Sequence, residues 1–233
     1  MEKDGNFRCV DCGLPIKKLY IQYSPGNIRL MKCENCKAVA DEYIECEIMI
    51  IVIDLILHKP RAYRHTFYNM LSRDTRYSEG LLWKLSLGFL ILDAYIMWVL
   101  SVTKEEGTLA PSFVSLLQCF GKILVGVVVG NFFFTSLLLF GSAKFLNASS
   151  KGLRCKDTLL AILISSYFKI FLVAMMVWEF PASVIFLVDI FVLSSNTVAL
   201  KVITDSATIR CLGVCFAAFS LKCLASHLLR TLH

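Results

Sequence analysis

Long apolar stretches fill the second half of this chain, and they constrain its fold more than any other feature. A helix needs about 20 mostly apolar residues to cross a bilayer, and stretches of about that length recur after residue 80. We place the spans at residues 81–100, 122–143, 159–178, 182–200 and 209–229. Residues 113–121 are read as an interfacial lead-in to the second span. The last stretch is diluted by polar residues, so the sequence predicts an all-α polytopic membrane bundle of four or five helices.

Charged residues concentrate in the N-terminal third. Residues 1–80 hold 12 Lys/Arg and 11 Asp/Glu, whereas residues 81–233 hold 12 and 7. The chain is therefore predicted to be a polar head followed by an apolar body. Its net charge of +6 lies mostly in loops, which fits the positive-inside rule and argues against a nucleic-acid partner.

The distribution of basic residues predicts the orientation. The first ten residues contain no apolar stretch and no cleavage site, so we expect no secretory signal and a cytosolic N-terminus. Basic residues cluster before the first span and again after the second span. Both clusters lie on one side of the membrane if the N-terminus is cytosolic, which agrees with the Lys/Arg bias.

Two cysteine pairs predict a metal site in the head. Cys9 and Cys12 form one C-x2-C knuckle, and Cys33 and Cys36 form a second one 20 residues later. Zinc prefers four tetrahedral ligands, and each knuckle presents two sulfur atoms from one tight turn. In the reducing cytosol these cysteines are better interpreted as thiolate ligands than as disulfides. We predict a β zinc ribbon over residues 1–45 with one structural zinc ion per chain.

A basic and aromatic segment, residues 46–80, separates the ribbon from the bundle at 81–233; we call it the collar. Its apolar run, residues 48–57, is too short to span, so it is either buried or interfacial. An aromatic stripe beside a basic stripe predicts contact with an anionic leaflet, although the basic residues could serve membrane orientation alone. The candidate headgroup residues are Lys59, Arg61, Tyr63, Arg64, His65, Arg73 and Arg76.

Four ionisable residues fall well inside the predicted spans: Asp93, Lys169, Asp189 and Lys222. A charge near the bilayer centre costs about 2.5–3.5 kcal/mol on insertion scales, so these side chains should face inward and pair. Two interpretations remain open. The residues either hold helices together or form a polar path for a lipid headgroup.

The head and collar together resemble a known family. The two cysteine knuckles, the apolar run and the string DLILHKPRAYRHTFYN from Asp54 to Asn69 are similar to the Arv-homology domain of the Arv family. The resemblance covers roughly residues 7–70 and extends to the rest only through topology. It implies a multi-pass protein of the endoplasmic reticulum that acts in sterol homeostasis and lipid transport. It also implies effects on sphingolipid metabolism and on glycosylphosphatidylinositol-anchor assembly, with sterols, sphingolipids or anchor precursors as partners.

Two other classes of function stay open from the residues themselves. The chain could be a membrane-tethered zinc-ribbon adaptor for lipid-synthesis enzymes, or a membrane glycosyl- or acyltransferase. We expect no enzymatic activity, because none of the four histidines has an acidic partner at a familiar catalytic spacing and no phosphate loop or nucleophile elbow is present. No catalytic residue is assigned.

Overall fold

The N-terminal head is built from two small β-hairpins. A computed structural model of the chain describes residues 7–71, 75–102, 113–146, 155–170 and 183–231. In the head, the strands pair antiparallel as β1 (Phe7–Arg8) with β2 (Pro15–Ile16) and β3 (Tyr20–Ser24) with β4 (Asn27–Leu30). Gly26 lies in the turn between β3 and β4 with a φ of +83°, a conformation that favours glycine. The predicted β ribbon is confirmed.

A helical hairpin joins the head to the bundle. Helix α1 (Ile48–Ile56) ends in a turn at His58, whose φ is +55°, and α2 (Pro60–Arg64) begins directly after it. Proline suits the first turn of a helix, because the N–H group that it lacks would have no helical partner there. The helix then continues as a π-helix, His65–Met70.

Helix α1 exposes most of its apolar surface. Ile48 and Met49 are 69% and 65% exposed, and only Ile51 of this helix is buried. Of the two interpretations of this segment, the exposure favours an amphipathic helix at the membrane interface over a buried element.

Five further helices form the body. They are α3 (Thr75–Val102), α4 (Phe113–Phe145), α5 (Cys155–Ser166), α6 (Ser183–Thr204) and α7 (Thr208–Thr231). All except α5 contain a segment that is long and apolar enough to cross a membrane, which gives four candidate spans in the described part of the chain. The predicted fold class, a helical membrane bundle behind a small ribbon, is confirmed.

The helix boundaries correct several details of the prediction. Residues 113–121 are the first turns of α4 rather than a separate lead-in, because no proline interrupts this apolar stretch. Helix α3 begins at Thr75, so the expected boundary between collar and bundle falls inside a helix. The third predicted span, 159–178, starts within α5 and a 3-10 turn, Tyr167–Lys169, but residues 171–178 lie outside the described residues.

Helices α4 and α7 pack closely against each other. A Cβ atom added to Gly141 of α4 would lie 2.5 Å from Val214 Cγ1 of α7, so a larger residue at Gly141 would clash. The surrounding apolar core consists of Phe134, Leu138, Leu146, Ile162, Leu200, Cys211, Cys215 and Ala218. The two cysteines of α7 in this core are therefore packing residues.

The head sits at one end of the bundle. Arg8 forms an ion pair of 3.7 Å with Asp205, in the loop between α6 and α7. Next to it, the Ser206 hydroxyl donates a hydrogen bond of 3.1 Å to the carbonyl of Leu146, at the end of α4. The collar and the basic residue Lys144 in the last turn of α4 therefore lie at the same end of the bundle.

Candidate functional sites

The four cysteines of the two knuckles meet in the head. Their sulfur atoms all lie within 4.8 Å of one another. The Sγ atoms of Cys9 and Cys36 are 3.7 Å apart, and those of Cys12 and Cys33 are 3.6 Å apart. Zinc–sulfur bonds of about 2.3 Å in a tetrahedron place the sulfur atoms about 3.8 Å apart. The four residues therefore fit one zinc ion, and the set is closed, with no position left for a substrate.

The backbone holds each knuckle in a tight turn. The N–H groups of Gly13 and Lys37 donate hydrogen bonds of 2.9 and 3.0 Å to the carbonyls of Cys9 and Cys33. Gly13 and Lys37 both have a positive φ, +77° and +61°. These turns aim two sulfur atoms of each knuckle at a common centre.

The thiols of the first knuckle differ in their readiness to ionise. Burial raises the pKa of the Cys9 thiol to about 12, although the backbone N–H groups of Cys12 and Asp11 favour the thiolate. At Cys12 the effect of burial is outweighed by hydrogen bonds from the Leu14 N–H and the Cys33 thiol, so its pKa is lowered to about 6. A bound zinc ion would supply the positive charge that keeps both cysteines as thiolates.

A buried polar network joins the head to the collar. Asp41 is completely buried, and its Oδ2 atom lies 2.7 Å from both His65 Nδ1 and Asn69 Nδ2. Its other oxygen accepts a bond of 3.1 Å from the backbone N–H of Tyr43. Asn69 also pairs with the backbone of Arg8 through two bonds of 2.9 Å. The network fixes the position of the ribbon on the π-helix.

Two of the candidate headgroup residues, Tyr63 and His65, are buried in the structure. Tyr63 is 1% exposed and packs with Ala199 and Val202 of α6, and its hydroxyl lies 2.7 Å from Ser195 Oγ. His65 is 7% exposed. The side chains of Tyr63 and His65 are thus enclosed by protein rather than by a lipid surface, because Tyr63 packs on α6 of the bundle and His65 contacts Asp41 and Tyr43 of the head.

Two basic residues of the collar, Arg61 and Arg64, contact the head. Arg64 Nη1 donates bonds of 2.8 and 2.6 Å to the carbonyls of Val10 and Asp11. Arg61 forms an ion pair of 2.5 Å with Asp11, and Lys59 forms one of 2.8 Å with Asp54. The contacts of Arg61 and Arg64 join the collar to the first knuckle. Arg73 lies outside the described residues, and the structure describes the backbone of Arg76, in α3, but not its side chain.

An ion cluster connects α3, α4, α7 and the 3-10 turn after α5 inside the bundle. Asp93 of α3 lies 2.7 Å from Lys169 Nζ through one oxygen and 2.5 Å from Lys222 Nζ through the other. Asn131 of α4 donates a bond of 2.9 Å to Asp93 and accepts one of 2.7 Å from Lys222. The two lysines also lie 5.0 and 5.5 Å from the centre of the Phe89 ring.

The structure thus brings three of the four predicted intramembrane charges into contact. Asp189 is half-buried and near enough to Lys169 and Lys222 to interact electrostatically, but no ion pair joins it to another described residue. The prediction that these charges pair with one another is confirmed for Asp93, Lys169 and Lys222.

Comparisons with known proteins decide the family. The sequence model of the Arv1-like family matches residues 8–200. The chain belongs to the Arv1-like family. It is 53% identical to Protein ARV 2 of Arabidopsis thaliana, covering 94% of this chain and 93% of that protein. It is 51% identical to Protein ARV 1 of the same plant, over 95% of this chain and 88% of that protein. Protein ARV1 of Homo sapiens is 26% identical, over 84% of this chain and 72% of that protein. No solved structure gives a significant match.

An apolar cavity of about 290 Å³ lies between the collar and the bundle of this Arv1-like chain. Residues of α1, α2, α5 and α6 and the turn after α5 line it: Val52, Leu55, Ile56, Tyr63, Ile164, Ser165, Tyr167, Ile170 and Ser195. The volume is close to the lower end of typical ligand pockets, about 300 Å³. Its wall is almost entirely apolar, because Tyr63 and Ser195 bond to each other.

Sequence reasoning missed several members of these sites in the Arv1-like chain. Asp41, Asn131 and Ser195 stand in no recognisable motif, and the side chains of His65, Asp93 and Tyr63 that they contact lie 24 to 132 residues away along the chain. Asn131 offered the one usable signal, an amide within a long apolar stretch. Such a residue should face a polar partner inside a membrane bundle.

Proposed function

We propose that this Arv1-like chain is a non-enzymatic protein of the endoplasmic-reticulum membrane that mediates sterol homeostasis and intracellular sterol transport. Its action would also affect sphingolipid metabolism and glycosylphosphatidylinositol-anchor assembly. The family resemblance of the head and collar suggests these roles. The proposed orientation has a cytosolic N-terminus, because the described basic residues of the collar and Lys144, which begins the second basic segment, lie at one end of the bundle. Lys and Arg favour the cytosolic side.

The observation that carries the proposal is the apolar cavity between collar and bundle. It is lined by the interfacial helix α1 on one side and by α5 and α6 on the other. The exposed apolar face of α1 next to it would lie in the headgroup region of the bilayer. A sterol, with a rigid apolar body, could enter this cavity from the membrane without exposing hydrocarbon to water.

Filling the cavity tests this function. Ile164 lines the cavity, and its replacement by tryptophan should displace a bound sterol by occupying the space. Ile190 is an apolar residue of α6 that is 48% exposed and lies outside the cavity, so Ile190→Trp is the matched control.

The readout is transfer of a fluorescent sterol between vesicles by the purified, reconstituted chain. Wild type and Ile190→Trp should transfer the sterol, whereas Ile164→Trp should not. Equal transfer by both variants would exclude the cavity as the sterol site. No transfer by the wild type would contradict direct transport.

We also propose that the metal of the head is one structural zinc ion per chain, held by Cys9, Cys12, Cys33 and Cys36. The sulfur spacing fits a zinc tetrahedron, and binding energy at such a site is folding energy. Elemental analysis of the purified chain should give about one zinc ion per molecule. Cys36→Ser should lose the metal and make the head sensitive to protease. A folded head without zinc would refute the proposal.

A second function, an adaptor that docks lipid-synthesis enzymes, is favoured by the exposed surface of the ribbon. Tyr23 is 65% exposed and Ile21 is 40% exposed on strand β3. If the chain acts as an adaptor, Tyr23→Ser and Ile21→Ser should reduce lipid synthesis in cells while leaving sterol transfer in vesicles unchanged. Loss of both activities, or of neither, would argue against this role.

A further inference from the structure

A second cavity, of about 450 Å³, opens at the junction of head, collar and bundle. The residues that give it its character are charged. Arg61 and Arg64 come from α2, Asp11 from the first knuckle, and Lys201 and Asp205 from the end of α6 and the loop after it. Three cations and two carboxylates therefore face one space, with a net charge of +1.

Two of these cations have no carboxylate partner in the described part of the chain. Arg61 is paired with Asp11 at 2.5 Å, and Asp205 is paired with Arg8 at 3.7 Å. Arg64 bonds only to the carbonyls of Val10 and Asp11, through Nη1, which leaves its charge uncompensated and its remaining N–H groups available. Lys201 is exposed and forms no ion pair with a described residue.

The cavity lies where a membrane surface would be. The apolar segment of α6 ends at Thr204, so Lys201 and Asp205 flank its end. The interfacial helix α1 precedes α2, which supplies the two arginines. A phospholipid in the adjoining leaflet carries its phosphodiester at this depth. The phosphodiester has a charge of −1, which balances the net charge of +1 in the cavity. Arginine is suited to phosphate, because its planar guanidinium presents several donors in a fixed geometry.

We propose that this cavity binds the phosphodiester headgroup of an anionic membrane phospholipid, with Lys201 and Arg64 as the residues that contact the phosphate. The proposal rests on the proposed function only in that this end of the bundle lies at the membrane surface. It differs from a general attraction of the collar to the leaflet, because it requires Lys201, which lies in a transmembrane helix far from the collar in sequence.

Lys201→Gln is the sharpest variant, because no described residue depends on its ammonium group for an ion pair. Lys201→Arg keeps the charge and should retain binding. Lys144→Gln is the matched control, since Lys144 lies in the last turn of α4 at the same end of the bundle but outside the cavity. Arg64→Gln is less suitable, because Arg64 also bonds to the carbonyls of the first knuckle.

The test measures phosphatidylglycerol bound to the purified full chain by native mass spectrometry. The chain is first equilibrated with vesicles of equal parts phosphatidylglycerol and phosphatidylcholine. The wild type, Lys201→Arg and Lys144→Gln should retain phosphatidylglycerol over phosphatidylcholine. Lys201→Gln should bind it about fivefold more weakly, the loss expected for one basic side chain at an anionic surface.

Each other outcome overturns the proposal. If Lys201→Gln binds as the wild type does, or if Lys144→Gln weakens binding equally, the cavity is not the site. If inorganic phosphate binds with the same dependence on Lys201 while the chain retains phosphatidylglycerol and phosphatidylcholine equally, the site recognises free phosphate rather than a membrane headgroup. Sterol transfer serves as a separate measurement. A chain that binds phosphatidylglycerol but transfers no sterol would contradict only the proposed sterol transport. A chain that transfers sterol but shows no preference for phosphatidylglycerol would contradict only the headgroup site.

Discussion

Removing the charge of Asp93 should destabilise the bundle more than any other single change to its polar residues. Asp93 is 6% exposed and is the shared partner of Lys169 and Lys222. Asp93→Asn keeps the size of the side chain but leaves the buried ammonium group of Lys169 and the partly buried one of Lys222 without their carboxylate. Breaking a buried ion pair by removing one partner costs about 3–5 kcal/mol. The folding equilibrium constant should therefore fall by roughly two to four orders of magnitude.

The assay is reversible unfolding in mixed micelles, followed by tryptophan fluorescence as denaturing detergent is added. Asp189→Asn is the control, because Asp189 is half-buried and pairs with no described residue within ion-pair distance. Asp189→Asn should lower the free energy of unfolding by less than about 1 kcal/mol, as is usual for weakly coupled charges. If Asp93→Asn were no more destabilising than Asp189→Asn, the ion cluster would not hold the helices together.

A triple variant separates the two roles considered for this cluster. Asp93→Leu, Lys169→Met and Lys222→Met together remove all three charges and leave none unpaired. Replacing a buried ion cluster with apolar residues is often neutral or stabilising by about 1–4 kcal/mol. If the cluster only joins helices, the triple variant should fold and still transfer sterol. A folded variant without transfer would instead support a polar path for a lipid headgroup.

Three further predictions concern the polar network between head and collar, the packing of α4 on α7, and the orientation of the chain in the membrane. Asp41→Ala leaves His65 and Asn69 without their buried partner and should lower the free energy of unfolding by about 1–3 kcal/mol. Increased protease sensitivity of the head will show this loss. Gly141→Ala should cost about 1–3 kcal/mol through overpacking, and Val214→Ala should recover much of that loss in the same unfolding assay. Cysteines introduced at Lys32 and Lys144 should both react with a membrane-impermeant maleimide added to the cytosolic side of sealed microsomes. Reaction of either one only after the membrane is permeabilised would contradict the orientation.

The sequence predicted the features that depend on local spacing. The two C-x2-C knuckles place four sulfur atoms together, because each knuckle is a short turn whose geometry varies little. Apolar stretches of about 20 residues predicted the long helices for a similar reason, since bilayer thickness sets their length. The pairing of Asp93 with Lys169 and Lys222 followed from the cost of an isolated charge inside a membrane.

The collar shows why the rest could not be predicted. Its aromatic stripe, which includes Tyr63, is equally compatible with lipid and with the apolar surface of another helix, because both environments are apolar. The structure resolves this in favour of packing on α6, where Tyr63 meets Ser195. Both cavities depend on the same long-range packing of α2 on α6, and no local pattern in the sequence encodes which faces of two helices will meet.

The most direct test of sterol handling by this Arv1-like chain is the identity of the lipid that copurifies with it from cell membranes. Native mass spectrometry of the full chain, extracted in a mild detergent, should show a bound sterol on the wild type and on Ile190→Trp. The sterol should be absent from Ile164→Trp, in which the apolar cavity is filled. A wild-type chain that carries no sterol, or an Ile164→Trp variant that carries as much sterol as the wild type, would contradict the account.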